Sequence, residues 1–239
     1  MKSIQSILIC SVLLASGWAV AEMHAFKLPD GRSVEAEIMD YNAKLGQVEL
    51  QLANGSRKKI DPTIFVQADQ DYIKEWASLD GFRSSSQFKI ECAKKKLEQW
   101  KEGDDAFETK FEKYVYEVSL ANRTASEIDP LKVEYRIYYE QEENDMATKK
   151  VVNHQQVKSG TLDVERVRAK ETRRANTEPV VLKEFEFNMS DYYVEGGDPE
   201  STSGELKGIW VRLTVKTKSG QTAVRDVYEP DSIKGKYAW

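Results

Sequence analysis

Two runs in which apolar and polar side chains alternate do most to narrow what this chain can fold into. In LKVEYRIYYE, residues 131–140, Leu131, Val133, Tyr135, Ile137 and Tyr139 fall on one face of an extended backbone, because successive side chains of a strand point to opposite sides. GIWVRLTV, residues 208–215, repeats the pattern with Ile209, Val211, Leu213 and Val215 on one face and Trp210, Arg212 and Thr214, continued by Lys216, on the other. A period of two makes no continuous stripe on a helix, so both runs are strands with one buried face. The second face of GIWVRLTV carries a large aromatic and a guanidinium where a solvated strand carries small polar groups. Trp210 is therefore either a binding platform or a packing residue that something covers.

The same alternation recurs through the second half of the chain. FKIEC puts Phe88, Ile90 and Cys92 together, and KYVYEVSLANRT does the same with Tyr114, Tyr116, Val118 and Leu120. TLDVERVR, VVLKEFEF and TAVRDVY are further candidates, the last joined to the 208–218 strand through Ser219 and Gly220. About seven such strands over roughly 150 residues, separated by Gly, Asn, Asp and Pro, predict an antiparallel β-sandwich. In a sandwich of the immunoglobulin type the third strand and the last two share a sheet. If LKVEYRIYYE, GIWVRLTV and TAVRDVY hold those places, Arg136, Tyr138, Trp210 and Arg212 form one outward surface. Tyr, Trp and Arg combine apolar area with a polar handle, as at partner-binding surfaces or under sugar rings, which makes these four the candidate binding surface. The competing expectation is a cover over Trp210, from the N-terminal domain or from the C-terminal KGKYAW, whose Tyr237 and Trp239 need somewhere to pack.

The first half reads differently. Short strands VEAEIM and QVELQL sit between a Pro29-Asp30-Gly31 turn and Asn54-Gly55, which predicts a type I′ hairpin turn. DQDYIKEWASL follows with Tyr72, Ile73 and Trp76 at helical spacing and Asp69 placed to cap the start. DGFRSSSQ, residues 80–87, with Gly and three serines, reads as a linker.

The N-terminus carries Lys2, an apolar run from Ile7 to Ala15 and the small-x-small site Ala19-Val20-Ala21, which predicts a secretory signal peptide over residues 1–21. That run falls short of the roughly 20 apolar residues that span a bilayer, so no membrane anchor is expected. Cys10 lies inside the apolar run after Ile9, which argues against lipid attachment. Removal of residues 1–21 takes away Lys2 and leaves 34 basic against 40 acidic residues, a net charge near −6 that speaks against nucleic acid as the partner. Cys92 alone then remains, so an intrachain disulfide is excluded and a hydrophobic core must supply the stability.

DGRSVEAEIMDYNAKLGQVELQLANGSRKKIDPTIFVQADQDYIKEW, residues 30–76, resembles the SH3-like homology domain one of the yeast endocytic adaptor Sla, which recurs in secreted planctomycete and verrucomicrobial proteins. Asp30-Gly31, Val34 to Glu37, Val48, Leu50, Gly55, Ile60, Asp69-Gln70 and Tyr72-Ile73 carry the likeness; Phe26 replaces the usual opening Trp and Val66 the usual capping Ser. The resemblance implies a small SH3-like barrel and a peptide-binding ancestry, since eukaryotic relatives bind Asn-Pro-Phe peptides. EVSLANRTASEIDPLKVEYRIYY, residues 117–139, resembles a pattern of exported immunoglobulin-like domains and implies the fold alone.

Catalytic chemistry has little to work with. His24 and His154 are the two histidines, which leaves no His-based triad or multi-His zinc site, and no phosphate-binding glycine loop or HExxH occurs. Cys92, alternating with Phe88 and Ile90, reads as a buried inert thiol. The acids mostly lie on solvent faces or in runs such as EQEEND, although a carboxylate pair in a cleft would permit a polysaccharide hydrolase. Asp191, Glu195, Asp198 and Glu200 lie among glycines but lack calcium-loop spacing. RVRAKETRRANTEP, residues 166–179, reads as a solvated loop or strand edge.

The expected protein is thus all-β: an SH3-like barrel domain with a terminal helix at 24–79, a linker at 80–87 and an immunoglobulin-like sandwich at 88–239. It is expected to be periplasmic or secreted, non-catalytic and without cofactor or metal, binding an envelope protein or peptide. A glycan stacked on Trp210 and Tyr138 is the alternative ligand.

Overall fold

The computed structural model describes residues 23–103, 107–145, 150–187 and 201–239, and among these no helix is long and apolar enough to cross a membrane. The signal-peptide reading with Ala19 and Ala21, and the acids Asp191, Glu195, Asp198 and Glu200, lie outside the described residues.

Strands β1 (His24–Lys27), β2 (Ser33–Asn42), β3 (Gln47–Leu52) and β4 (Arg57–Ile60) form an antiparallel meander in the order β1-β2-β3-β4. No pairing of β1 with β4 closes it among the described residues. The turn at Gly55 differs from expectation. A type I′ turn needs positive φ at both central residues, yet Gly55 is at φ +79 and the one described non-glycine residue with positive φ is Lys170. Asn54 instead accepts the Ser56 N–H on its side chain at 3.0 Å, leaving the left-handed position to glycine alone.

Helix α1 (Gln67–Arg83) packs Ile73 with Phe26, Ile38, Val48, Leu50 and Phe65 in the first core. Asp69 does not cap it. The helix starts after Val66, one turn earlier than the polar residues suggest, and Asp69 turns inward to accept the Lys27 N–H at 2.6 Å while lying 2.8 Å from His24 Nε2. A buried carboxylate needs such partners, and here they tie the first strand to the helix.

The 80–87 linker is also corrected. The helix runs on to Arg83, and Leu79, Phe82 and Phe88 are fully buried in the second core. Gly81 is there for close approach, since a Cβ would lie 2.6 Å from Thr124 Cγ2. Arg225 Nη1 donates to the carbonyls of Phe82 and Phe88, both at 2.7 Å, and its guanidinium lies over the Phe82 ring. The two halves are therefore joined through packed side chains and a capped helix end.

The second half is a sandwich of two antiparallel sheets. Strands β5 (Phe88–Gly103), β6 (Phe107–Asn122), β9 (Thr172–Asn176) and β10 (Val180–Phe187) make one, in the order β10-β6-β5 with β9 also on β6. The other contains β7 (Leu131–Asp145), β8 (Lys150–Leu162), β11 (Gly204–Lys216) and β12 (Thr222–Glu229), in the order β12-β11-β7-β8. The inward alternations of Tyr116, Val118, Leu120, Val133, Tyr135, Ile137, Ile209, Val211 and Leu213 meet in one core, as their period requires. TLDVERVR is not a strand of its own: its buried residues Leu162, Val164 and Val167 lose the two-residue register, and Val167 makes an isolated bridge to Ile128. The strand of that region is β9, inside the basic run, where Arg173 pairs with Glu171 at 2.9 Å. The described chain is all-β apart from α1 and short 3-10 turns.

Candidate functional site

Strand β11 lies between β7 and β12, and Trp210 stands opposite Arg136 on one side and Tyr228 on the other. Arg136, Tyr138, Trp210 and Arg212 therefore do share one outer surface. That surface is occupied. After β12 the chain makes a single 3-10 turn at Asp231–Ile233, passes Gly235 at φ +78 and lays Tyr237, Ala238 and Trp239 over the sheet. Trp210 is 9% exposed and Tyr138 2%, so neither stands as an open platform.

The contacts are those of a bound peptide. The Tyr237 ring stacks on Tyr138, with centroids 4.2 Å apart. Tyr138 Oη and Arg136 Nη1 both donate to the Ala238 carbonyl, at 3.1 and 3.2 Å. The Trp239 indole meets Trp210 edge to face at 4.9 Å, with the Arg212 guanidinium 4.3 Å and the Arg136 guanidinium 4.9 Å from its ring. Ile233, 4% exposed, anchors the start of the segment beside Tyr138 and Trp210. Gly208 makes room for this: at φ +150, a Cβ there would lie 2.5 Å from the Glu229 carbonyl and 3.1 Å from Ile233 Cδ1.

The charges on the face are unevenly matched. Arg212 holds Asp226 in a bidentate pair at 2.8 and 2.9 Å. Burial works to raise the Asp226 carboxyl, but that pair, with the nearby Trp210 indole contributing, keeps it below its ordinary value. The hydrogen bond to Asp226 raises Arg212 in turn. Burial pushes the Tyr138 hydroxyl up against the opposing influence of Arg136. Arg136 has no carboxylate partner among the described residues. The Trp210 Nε1–H is shut from water beside Asp226, the carboxyl it helps hold below its ordinary value.

A crevice of about 520 Å³ opens beside Tyr237, with Cys92 and Tyr116 in its lining and Lys94, Lys207 and Lys236 around it. Burial, helped by Glu229, pushes the Cys92 thiol up to about 12, so it stays protonated and is a poor nucleophile. A second crevice of about 520 Å³ runs between α1 and the sandwich, where Asp71, Glu75, Glu127 and Asp129 face Lys74 and Lys218. Carboxylates meet over shared lysines: Glu112 and Glu184 lie 3.2 and 2.8 Å from Lys110 Nζ, and Glu140 and Glu205 lie 2.9 and 2.6 Å from Lys207 Nζ. Hydrogen bonds from Lys96 and then Tyr114 hold Glu112 down at about 2, opposite to the raised value a general acid needs.

Sequence reasoning found the four face residues but missed Tyr228, Gly208 and Ile233. Tyr228 was legible as the outward partner of Trp210 once strand order was known. Gly208 and Ile233 matter only through the fold-back of the tail.

No family model matches the chain, and no curated protein matches it significantly. Among solved structures, the X-ray structure of Northeast Structural Genomics Consortium target SoR45 is 10% identical over 60% of this chain and 86% of that one. Its TM-score of 0.29 is too low to carry an argument about fold or activity.

Proposed function

We propose that this is an exported, non-catalytic binding or scaffolding protein of the cell envelope that recognises a protein or peptide partner through the outer face of β7, β11 and β12. The observation that carries the reading is that this face already holds a peptide segment, residues 237–239, by ring stacking, cation–π contacts and hydrogen bonds to a main-chain carbonyl. None of these contacts requires that the segment belong to the same chain. The signal-like N-terminus supports export, and the sheet order β12-β11-β7-β8 supports the immunoglobulin-like resemblance.

The tail, tethered at Ile233, competes for the face at an effective concentration on the order of millimolar. A partner must therefore bind better than the tail or find it released. The glycan reading draws less support, because Trp210 and Tyr138 are covered by the tail.

The test uses the full chain carrying Trp239→Ala, which vacates the indole slot and leaves the sandwich core intact. Titrated with the hexapeptide Lys-Gly-Lys-Tyr-Ala-Trp in a calorimeter, this variant is expected to bind it, and the addition of Arg212→Ala is expected to abolish binding. Absence of heat with the single variant would make the face a structural seam and sink the reading.

A further inference from the structure

We propose that the chain pairs with a second copy of itself through the free edge of β8, as an antiparallel strand pair whose twofold axis passes through Val157. A sheet edge exposes unpaired N–H and C=O groups, and folded chains protect such edges with charge, bulges, brevity or cover. The other edges of the sandwich carry that protection. β5 bears Lys94, Lys95 and Lys96 and a bulge between Lys96 and Glu98. β9 has five residues, two of them arginines, and β12 is held against α1 by Arg225. On the side of β10 away from β6, Phe185 exchanges both main-chain hydrogen bonds with Thr202. β8 has none of these devices among the described residues. Its pairing with β7 runs from Lys150 to Leu162 without a register shift, it holds no proline, and no strand lies on its other side.

The residues of this edge match their own copies in one register. A sheet continued across a twofold axis sets outer face against outer face, so the axis must pass through a residue rather than between two. With the axis at Val157, which is 53% exposed, the two valines oppose each other and Val152 meets Leu162. Lys158 then faces Gln156 and His154 faces Gly160, so like charges are not opposed. Lys158 is also neutralised within its own copy by Glu178 at 3.2 Å. The neighbouring registers fit less well. An axis at Gln156 sets Lys158 against His154, one at Gln155 sets Val157 against Asn153, and one at His154 sets Lys150 against Lys158. Val157 lies opposite Tyr138 in the sheet, and Tyr237 stacks on that ring. The pairing therefore brings the two tail-bearing faces onto one side of a continuous sheet, and it does so whether or not that face binds a peptide.

The experiment uses the full chain with Cys10→Ser, in which the remaining native thiol, Cys92, stays protonated and unreactive. Sedimentation equilibrium is expected to show a dimer at micromolar concentration. Val157→Lys, at an exposed position, sets two ammonium groups face to face and should weaken the dimer about tenfold, with native far-UV dichroism. On air oxidation Val157→Cys should yield a disulfide-linked dimer, since directly opposed residues bring their Cβ atoms within about 4.5–5.5 Å of each other. Asn153→Cys, which faces Thr161 in this register, should remain uncrosslinked. A monomer in sedimentation, a dimer indifferent to Val157→Lys, or crosslinking through Asn153→Cys in place of Val157→Cys would overturn the proposal.

Discussion

Trp239→Ala should release the tail without unfolding the sandwich. The indole makes one edge-to-face contact with Trp210 at 4.9 Å, worth about 1 kcal/mol. It also makes two partly exposed cation–π contacts, with Arg212 at 4.3 Å and Arg136 at 4.9 Å, each worth about 0.5 kcal/mol. Together these come to about 2 kcal/mol, which raises the open population about 30-fold. Lys234 and Lys236 are exposed but belong to a segment pinned at both ends, by Ile233 and by Tyr237. Trypsin cleavage after either lysine therefore requires opening, and where opening is fast its rate follows the open population. Cleavage should accelerate about 30-fold in Trp239→Ala. The urea midpoint of the sandwich should hardly move, because Trp239 packs in a cluster separate from the main core. An unchanged cleavage rate would refute the latch. So would a loss of global stability equal to the full 2 kcal/mol or so estimated for the indole, since the tail would then unfold only with the rest of the chain.

Further predictions follow from the same geometry. Gly208→Ala places a Cβ against the Glu229 carbonyl at an unfavourable φ, so it should loosen the turn at Pro230–Ile233 and raise tryptic cleavage of the tail, while the pattern of amide protection on β7 stays native. Arg225→Ala leaves the Phe82 and Phe88 carbonyls without their donor and should destabilise the junction by about 2 kcal/mol; hydrogen exchange should rise first around residues 82–88. Glu112, depressed to about 2 from its ordinary 4.5, contributes stability that is fully present above pH 4.5 and is lost as pH falls toward 2. Glu112→Gln should accordingly flatten the fall of Tm between those pH values, and a slope identical to wild type would show that the Lys96 and Lys110 contacts do not form in solution.

The strands of the sandwich and their faces were legible from alternation alone. Alternation at Leu131–Tyr139 and Ile209–Val215 forces one face inward whatever the strands pair with, so the core was legible residue by residue, and so was the unusual outward set Arg136, Tyr138, Trp210 and Arg212. Local signals did less well wherever a distant residue changed their meaning. Asp69 looked like a helix cap but serves Lys27 and His24, more than forty positions away. Gly81 and its serines looked like a linker, yet the helix continues because Leu79 and Phe82 are buried in the sandwich core and Arg225 caps the helix end from β12. The state of Trp210 was beyond any periodicity, which sets the direction of a side chain and says nothing of what lies above it. That was decided in three dimensions, by the fold-back of residues 231–239 over Gly208, which brings Tyr237 and Trp239 onto a surface their own sequence neighbours do not supply.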